Sequence, residues 1–129
     1  MKDKKTLTYG LTHLALGVND LEKTKAFYTT VFAMEVMYDE PDFIQMTTPG
    51  CHDIIVFEKR KNITGKSGDI VHFGFRLRNP VHIGEMERKI KKAGGIIKSQ
   101  GEFVPGSPYI FFQDPDGYEV EVWYELLPS

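Results

Sequence analysis

Cysteine and tryptophan are each represented once, by Cys51 and Trp123. A lone thiol excludes a disulfide within the chain and fits a reducing compartment, so a cytoplasmic protein is expected. No apolar run approaches the roughly 20 residues of a membrane-spanning helix, and the charged start MKDKK leads into no apolar export-signal region. Neither sign of charge dominates. The 16 basic and 18 acidic residues leave a net charge of −2, so no nucleic-acid or anionic-membrane partner is expected. Low-complexity segments are absent too. What the chain does have is apolar side chain: 41% of its 129 residues are hydrophobic, enough for one domain with a core of its own.

The order of predicted elements repeats. LTYGLTHLALGV (7–18) alternates as a strand, with Thr12, Leu14, Leu16 and Val18 on one face and Leu11, His13, Ala15 and Gly17 on the other. NDLEKTKAFYTTVF (19–32) follows as a helix, with Asn19 as cap, Glu22 as the return half of a capping box, and Thr24, Phe27, Tyr28 and Val31 as the inward stripe. Strands are expected over 35–40, 42–48 and 51–59, punctuated by Pro41 and the TPG at 48–50. The second half starts with a strand over 69–78. Its helix over 79–95 has Asn79 as cap, Pro80 in the first turn and Gly94–Gly95 as the stop, with Met86, Ile90 and Ala93 inward. Strands over 95–104, 107–113 and 117–125 complete it, the last opening on the turn DPDG. The fold class is therefore α+β. Two βαβββ modules, 7–60 and 69–126, form a single domain over 1–129 by internal duplication, joined by a linker at 59–68.

Duplication locates a site. Laying THLALGV over VHFGFRL sets His13 on His72, and laying HDIIVFEK over YEVEVWYE sets Ile55 on Glu121. If the halves pack about a pseudo-two-fold axis, two imidazoles and a carboxylate converge there. Such a set leaves coordination positions open on one divalent metal ion; Fe, Mn, Zn, Ni and Co all suit it. Glu121 shares its strand face with Trp123, which argues for a lined pocket rather than open water. Arg76, on the His72 face, suits an anionic substrate group or a surface ion pair. Tyr109 could donate a proton or hydrogen bond to substrate, and Phe111 and Trp123 could line an apolar cavity or pack as core. Cys51 and His52 do not read as a nucleophilic dyad, because neighbours in a strand face opposite ways. His82 reads as a solvated residue of the second helix.

LTHLALGVNDLEKTKAFYTTVF, VHFGF, KKAGG and FFQDPDGYEVEVW together resemble the vicinal oxygen chelate superfamily: glyoxalase I, bleomycin-resistance proteins, fosfomycin-resistance enzymes and extradiol dioxygenases. The resemblance spans 11–123, and its most specific element is the DPDG turn followed four residues after its glycine by Glu121. It implies sheets curled around a cavity, a metal on His13, His72 and Glu121, and a small-molecule substrate whose vicinal oxygens chelate that metal. It also implies a homodimer, in some members with sites built from two chains, so that His13 could come across an interface. Departures sort the activities. The second-carboxylate slot of glyoxalase I is read as Ile55, with Glu58 on the opposite face. The tyrosine expected of extradiol dioxygenases is Phe111, although Tyr109 shares its face. Fosfomycin enzymes surround a phosphonate with several cations, and Arg76 is the one clear candidate. Ala33 stands where a glycine commonly ends the first helix. The leading expectation is Lewis-acid isomerase, lyase or thiol-addition chemistry, with Glu121 and Tyr109 catalytic. Oxygen-dependent cleavage at iron(II) and metal-independent drug sequestration are the alternatives.

Overall fold

The computed structural model describes residues 6–61, 65–66 and 68–126. Its elements run β1 (His13–Val18), α1 (Leu21–Phe32), β2 (Glu35–Asp39), β3 (Phe43–Thr47) and β4 (Ile54–Lys59), then β5 (Phe73–Arg76), a 3₁₀ turn (Pro80–His82), α2 (Ile83–Lys92), β6 (Ile96–Glu102), β7 (Pro108–Gln113) and β8 (Glu119–Trp123). Each half is thus β-α-β-β-β. The sheets have the matching orders β1-β4-β3-β2 and β5-β8-β7-β6. In both, the first strand runs parallel to the last, and the last three form an antiparallel meander.

Strand alternation divides each sheet into an inner and an outer face. Leu16, Val18, Ile44, Met46, Ile55 and Phe57 fill the inner face of the first, and Ile110, Phe112, Val120 and Val122 that of the second. All of them join one apolar core with Phe27, Tyr28 and Val31 of α1 and Ile90 of α2. Helix α1 ties the halves together: Tyr28 packs on Phe57 (centroids 4.9 Å apart), Phe27 on Phe112 (6.1 Å), and Phe32 stacks on Phe75 (3.8 Å). Full burial of one such side chain contributes about 1.5–3 kcal/mol, so this shared stripe helps to join the halves.

Several expected boundaries move. Residues 7–11 are exposed and outside β1. Asp20, not Asn19, caps α1: the cap must directly precede the first helical residue, and Asp20 Oδ1 accepts from the Lys23 backbone N–H at 3.1 Å. Asn19 instead donates its backbone N–H to Asp116 Oδ1. Glu22, freed from a capping box, pairs with Lys25. Asn79 caps the 3₁₀ turn, whose Pro80 sits at its start, and α2 begins only at Ile83. Part of the expected linker at 59–68 lies outside the described residues.

Ala33 ends α1 in the left-handed region (φ 56, ψ 30), where its N–H bonds back to Thr29 O. Among the described residues no other non-glycine has a positive φ. Because Ala33 is exposed, its methyl group brings the strain of that conformation without a packing gain. Ala33→Gly is expected to raise stability by about 0.5–1 kcal/mol, measured by denaturant unfolding. A loss of stability would show that the added freedom of the unfolded chain outweighs the relieved strain.

Candidate metal and substrate site

The DPDG turn fixes where β8 begins. Asp114 Oδ1 accepts the backbone N–H groups of Asp116 and Tyr118, each at 3.0 Å, and Gly117 takes φ 95. The same carboxylate accepts the Tyr28 hydroxyl at 2.6 Å, which docks the turn on α1. Tyr118 then donates its hydroxyl to Gly17 O of β1 at 2.7 Å. From this anchored start β8 alternates, with Val120 and Val122 fully buried inward and Glu119, Glu121 and Trp123 on the outer face.

Register builds that outer face in rungs. Gly74, Glu121, Phe111 and Ser99 lie side by side across the sheet; the next rung is Arg76, Trp123, Tyr109 and Gly101. His72 directly precedes β5, and its Nε2 stands 3.2 Å from Glu121 Oε1. Phe111 meets the His72 ring edge-on at 5.0 Å and 78°. Glu121 is only 8% exposed although its face is open, because Phe111 flanks it on one side and the Trp123 ring leans over Gly74 on the other. That burial raises the carboxyl above its ordinary range, against the opposing pull of His72. An imidazole nitrogen facing a desolvated carboxylate oxygen is a donor pair that a divalent ion accepts, so the residues present fit a metal.

His13 does not join them within the chain. Among the described residues, no three His, Cys, Asp or Glu side chains come close enough to share an ion. His13 is exposed at the start of β1. A cleft of about 220 Å³ between β1 and β5 is lined by Ala15 and Gly17 opposite His72, and His13 is not part of its wall. Arg76 is exposed and makes no ion pair among the described residues. Tyr109, Phe111 and Trp123 are half-buried on the Glu121 face rather than in the core.

The register also corrects the correspondence between modules. His13 pairs with Ile54 and Ala15 with Val56, while Gly74, two residues after His72, pairs with Glu121. Val56, not Ile55, therefore occupies the position of Glu121, and Ile55 is a buried inner-face residue. A slip of one residue turns a strand over, so Glu58 lies on the His13 face after all. There Arg60 Nη2 contacts Glu58 Oε1 at 2.6 Å, its stem lying over Gly17, where an added Cβ would come within 2.8 Å of Arg60 Cγ. This pair was missed, as was Phe103, which stacks on Tyr109 at 4.4 Å. The spacing of Val56 and Glu58 held the signal for the first; nothing in the sequence places a turn residue such as Phe103. Cys51 and His52 precede β4 instead of lying in it: His52 stacks on Tyr9, and Arg78 Nη2 is 3.9 Å from Cys51 Sγ. His82 is a surface residue 3.5 Å from Glu85.

Known proteins are similar to this chain in sequence and in fold. An uncharacterized protein of Pseudomonas aeruginosa is 32% identical over 124 residues, covering 88% of this chain and 87% of its own length. Lactoylglutathione lyase of Salmonella typhimurium is 28% identical over 122 residues, covering 87% and 90%. The fosfomycin resistance protein FosX of Listeria monocytogenes superposes with a TM-score of 0.77 at 25% identity, over 94% of this chain and 97% of that one. A mutant of that protein, also 25% identical, was crystallised with Mn(II) and 1S,2S-dihydroxypropylphosphonic acid; it superposes with a TM-score of 0.74 over 90% of each chain. The family model for the glyoxalase/bleomycin resistance protein/dioxygenase superfamily matches residues 10–122. By fold, by relatives and by that match, the chain belongs to the glyoxalase/bleomycin resistance protein/dioxygenase superfamily.

Proposed function

We propose that this protein is a divalent-metal-dependent enzyme acting on a small molecule with adjacent oxygens, by isomerase, lyase or addition chemistry. The observation that carries the reading is the His72–Glu121 pair, a nitrogen and an oxygen 3.2 Å apart on a face shared with Phe111, Tyr109 and Trp123. The metal-binding set is His72 and Glu121 of one chain with His13 of a second copy, since one chain keeps His13 apart. A homodimer also accounts for the exposure of Leu7, Tyr9 and Leu11 just before His13, and of Ile70 and Val71 just before His72. The ion, when bound, supplies Lewis acidity to the substrate oxygens. Glu121 anchors it and, as the buried carboxylate beside the reacting atoms, is positioned to exchange a proton. Tyr109 donates a hydrogen bond or proton from the neighbouring rung, Arg76 receives an anionic group, and Phe111 and Trp123 exclude water. Val56 in the second-carboxylate slot argues against the hemithioacetal isomerisation of a glyoxalase I, and a single exposed arginine on the Glu121 face against a phosphonate substrate.

Metal analysis tests the reading. Chelator-stripped protein incubated with zinc, manganese, ferrous iron, nickel or cobalt is expected to retain one equivalent per chain. Retention of none under any loading would leave a metal-independent sequestering protein. Activity lost in air and restored by ferrous iron alone would turn the assignment to oxygen-dependent cleavage.

A further inference from the structure

Two glycines on the outer face of the second sheet have a task that no turn requires. At Gly74 a Cβ would come within 2.9 Å and 3.2 Å of Trp123 ring carbons, and at Gly101 within 3.1 Å of the Tyr109 hydroxyl. Gly74 on β5 pairs with Glu121, one rung before Trp123, and Gly101 on β6 is itself the rung partner of Tyr109. The missing side chains let both rings lie down on the sheet instead of standing upright. Phe103 from the β6–β7 turn stacks on Tyr109 at 4.4 Å and 25°, and Tyr109 meets Phe111 edge-on at 5.6 Å and 62°. The result is a floor of rings beginning beside Glu121 and running to an exposed edge at Phe103, which is 56% exposed.

We infer that this floor selects an aryl substituent: the substrate carries a planar aromatic ring on the atoms that chelate at His72 and Glu121. The inference rests on the metal-site reading above and names the substrate class of that site. Successive outward residues on a strand are about 7 Å apart, so the Trp123–Tyr109 rung lies one ring's length beyond Glu121. A ring attached to the chelating carbon therefore comes down over that rung. Rings laid flat offer π-faces for offset or edge contacts with another ring, a geometry-specific gain that a saturated ring of similar size does not receive.

Three 2-hydroxy acids with identical chelating atoms test the inference: mandelate (phenyl), hexahydromandelate (cyclohexyl) and lactate (methyl). They are titrated into zinc-loaded protein, with the emission of Trp123, the one tryptophan of the chain, as readout. Mandelate is expected to bind about tenfold more tightly than lactate, with hexahydromandelate well below mandelate. In Phe103→Ala that preference should shrink to about threefold or less while lactate affinity holds; in Gly101→Ala, which also moves the Tyr109 hydroxyl, the preference should shrink likewise. Phe103 is exposed and the Gly101 contact is the far end of a side chain, so both variants should fold. Equal binding of mandelate and hexahydromandelate, or of all three acids, would overturn the inference. Zinc content of the same samples separates the two readings. Zinc bound without aryl preference sinks the substrate class alone; no zinc, with mandelate still preferred, sinks the metal site and keeps the aromatic floor; no zinc and no preference sinks both.

Discussion

Neither His13→Ala nor His72→Ala retains metal alone, yet refolding them together restores about a quarter of the wild-type metal content: this is the outcome expected if the site is shared between two copies. Removing one of three protein donors should weaken binding by about a thousandfold or more, beyond the 10–100-fold cost of losing a supporting contact. The recovery follows from symmetry. In a two-fold dimer each ion would have His13 from one chain and His72 with Glu121 from the other. A one-to-one mixture yields about half mixed dimers, and in each of these one site has both histidines and the other has neither, so about a quarter of all sites are whole. Atomic absorption on the repurified mixture measures it. A site assembled within one chain gives no recovery from the mixture, because every chain is missing one of its own donors. Glu121→Ala, mixed with His72→Ala, supplies the control: both lesions lie in the same module, so no combination yields a complete site.

Much of the fold was legible because duplication makes each half a check on the other. The α1 stripe of Thr24, Phe27, Tyr28 and Val31 is buried as its spacing indicates, and the Asp-rich turn with left-handed Gly117 is formed. Glu121 could be picked out because a carboxylate shares its strand face with an indole. The register between β1 and β4 was beyond the sequence. Laying the last strand of one half over that of the other put Ile55 on Glu121, whereas the ladder aligns Val56 there, and one residue decides which side chains face the site. The distance between His13 and the pair was equally hidden, because periodicity gives the face a residue lies on and not how two faces sit across a shared core. Contacts made by absent side chains, at Gly17, Gly74 and Gly101, leave no mark in an apolar pattern at all.

Asp114→Ala is expected to destabilise the protein by about 3–5 kcal/mol, a fall in melting temperature of about 10–20 °C. Asp114 is 4% exposed and accepts three donors: the hydroxyl of the fully buried Tyr28 and the N–H groups of Asp116 and Tyr118. Truncation leaves all of them without this acceptor, and each buried donor so stranded costs about 1–3 kcal/mol. It also unfastens the turn from α1, the helix that joins the modules. Tyr28→Phe keeps the ring against Phe57 and loses only the hydroxyl, so its cost should be about 1–2 kcal/mol. Asp114→Asn separates charge from hydrogen bonding, since its oxygen still accepts the two backbone groups while its amide can turn to the Tyr28 hydroxyl. Burial holds the Asp114 carboxyl above its ordinary value, against the pull of the Tyr28 hydroxyl and the backbone donors. The folded state therefore binds this proton more tightly than the unfolded one. The stabilisation linked to it is complete below the unfolded value of about 3.9 and fades as pH rises through the raised folded value. That slope opposes the acid destabilisation typical of paired carboxylates, and Asp114→Asn should remove it. Unfolding curves of the two proteins between pH 3 and 7 measure the difference. If wild type gained stability relative to Asp114→Asn as pH rises, the carboxylate would be better solvated by its three donors than its burial allows.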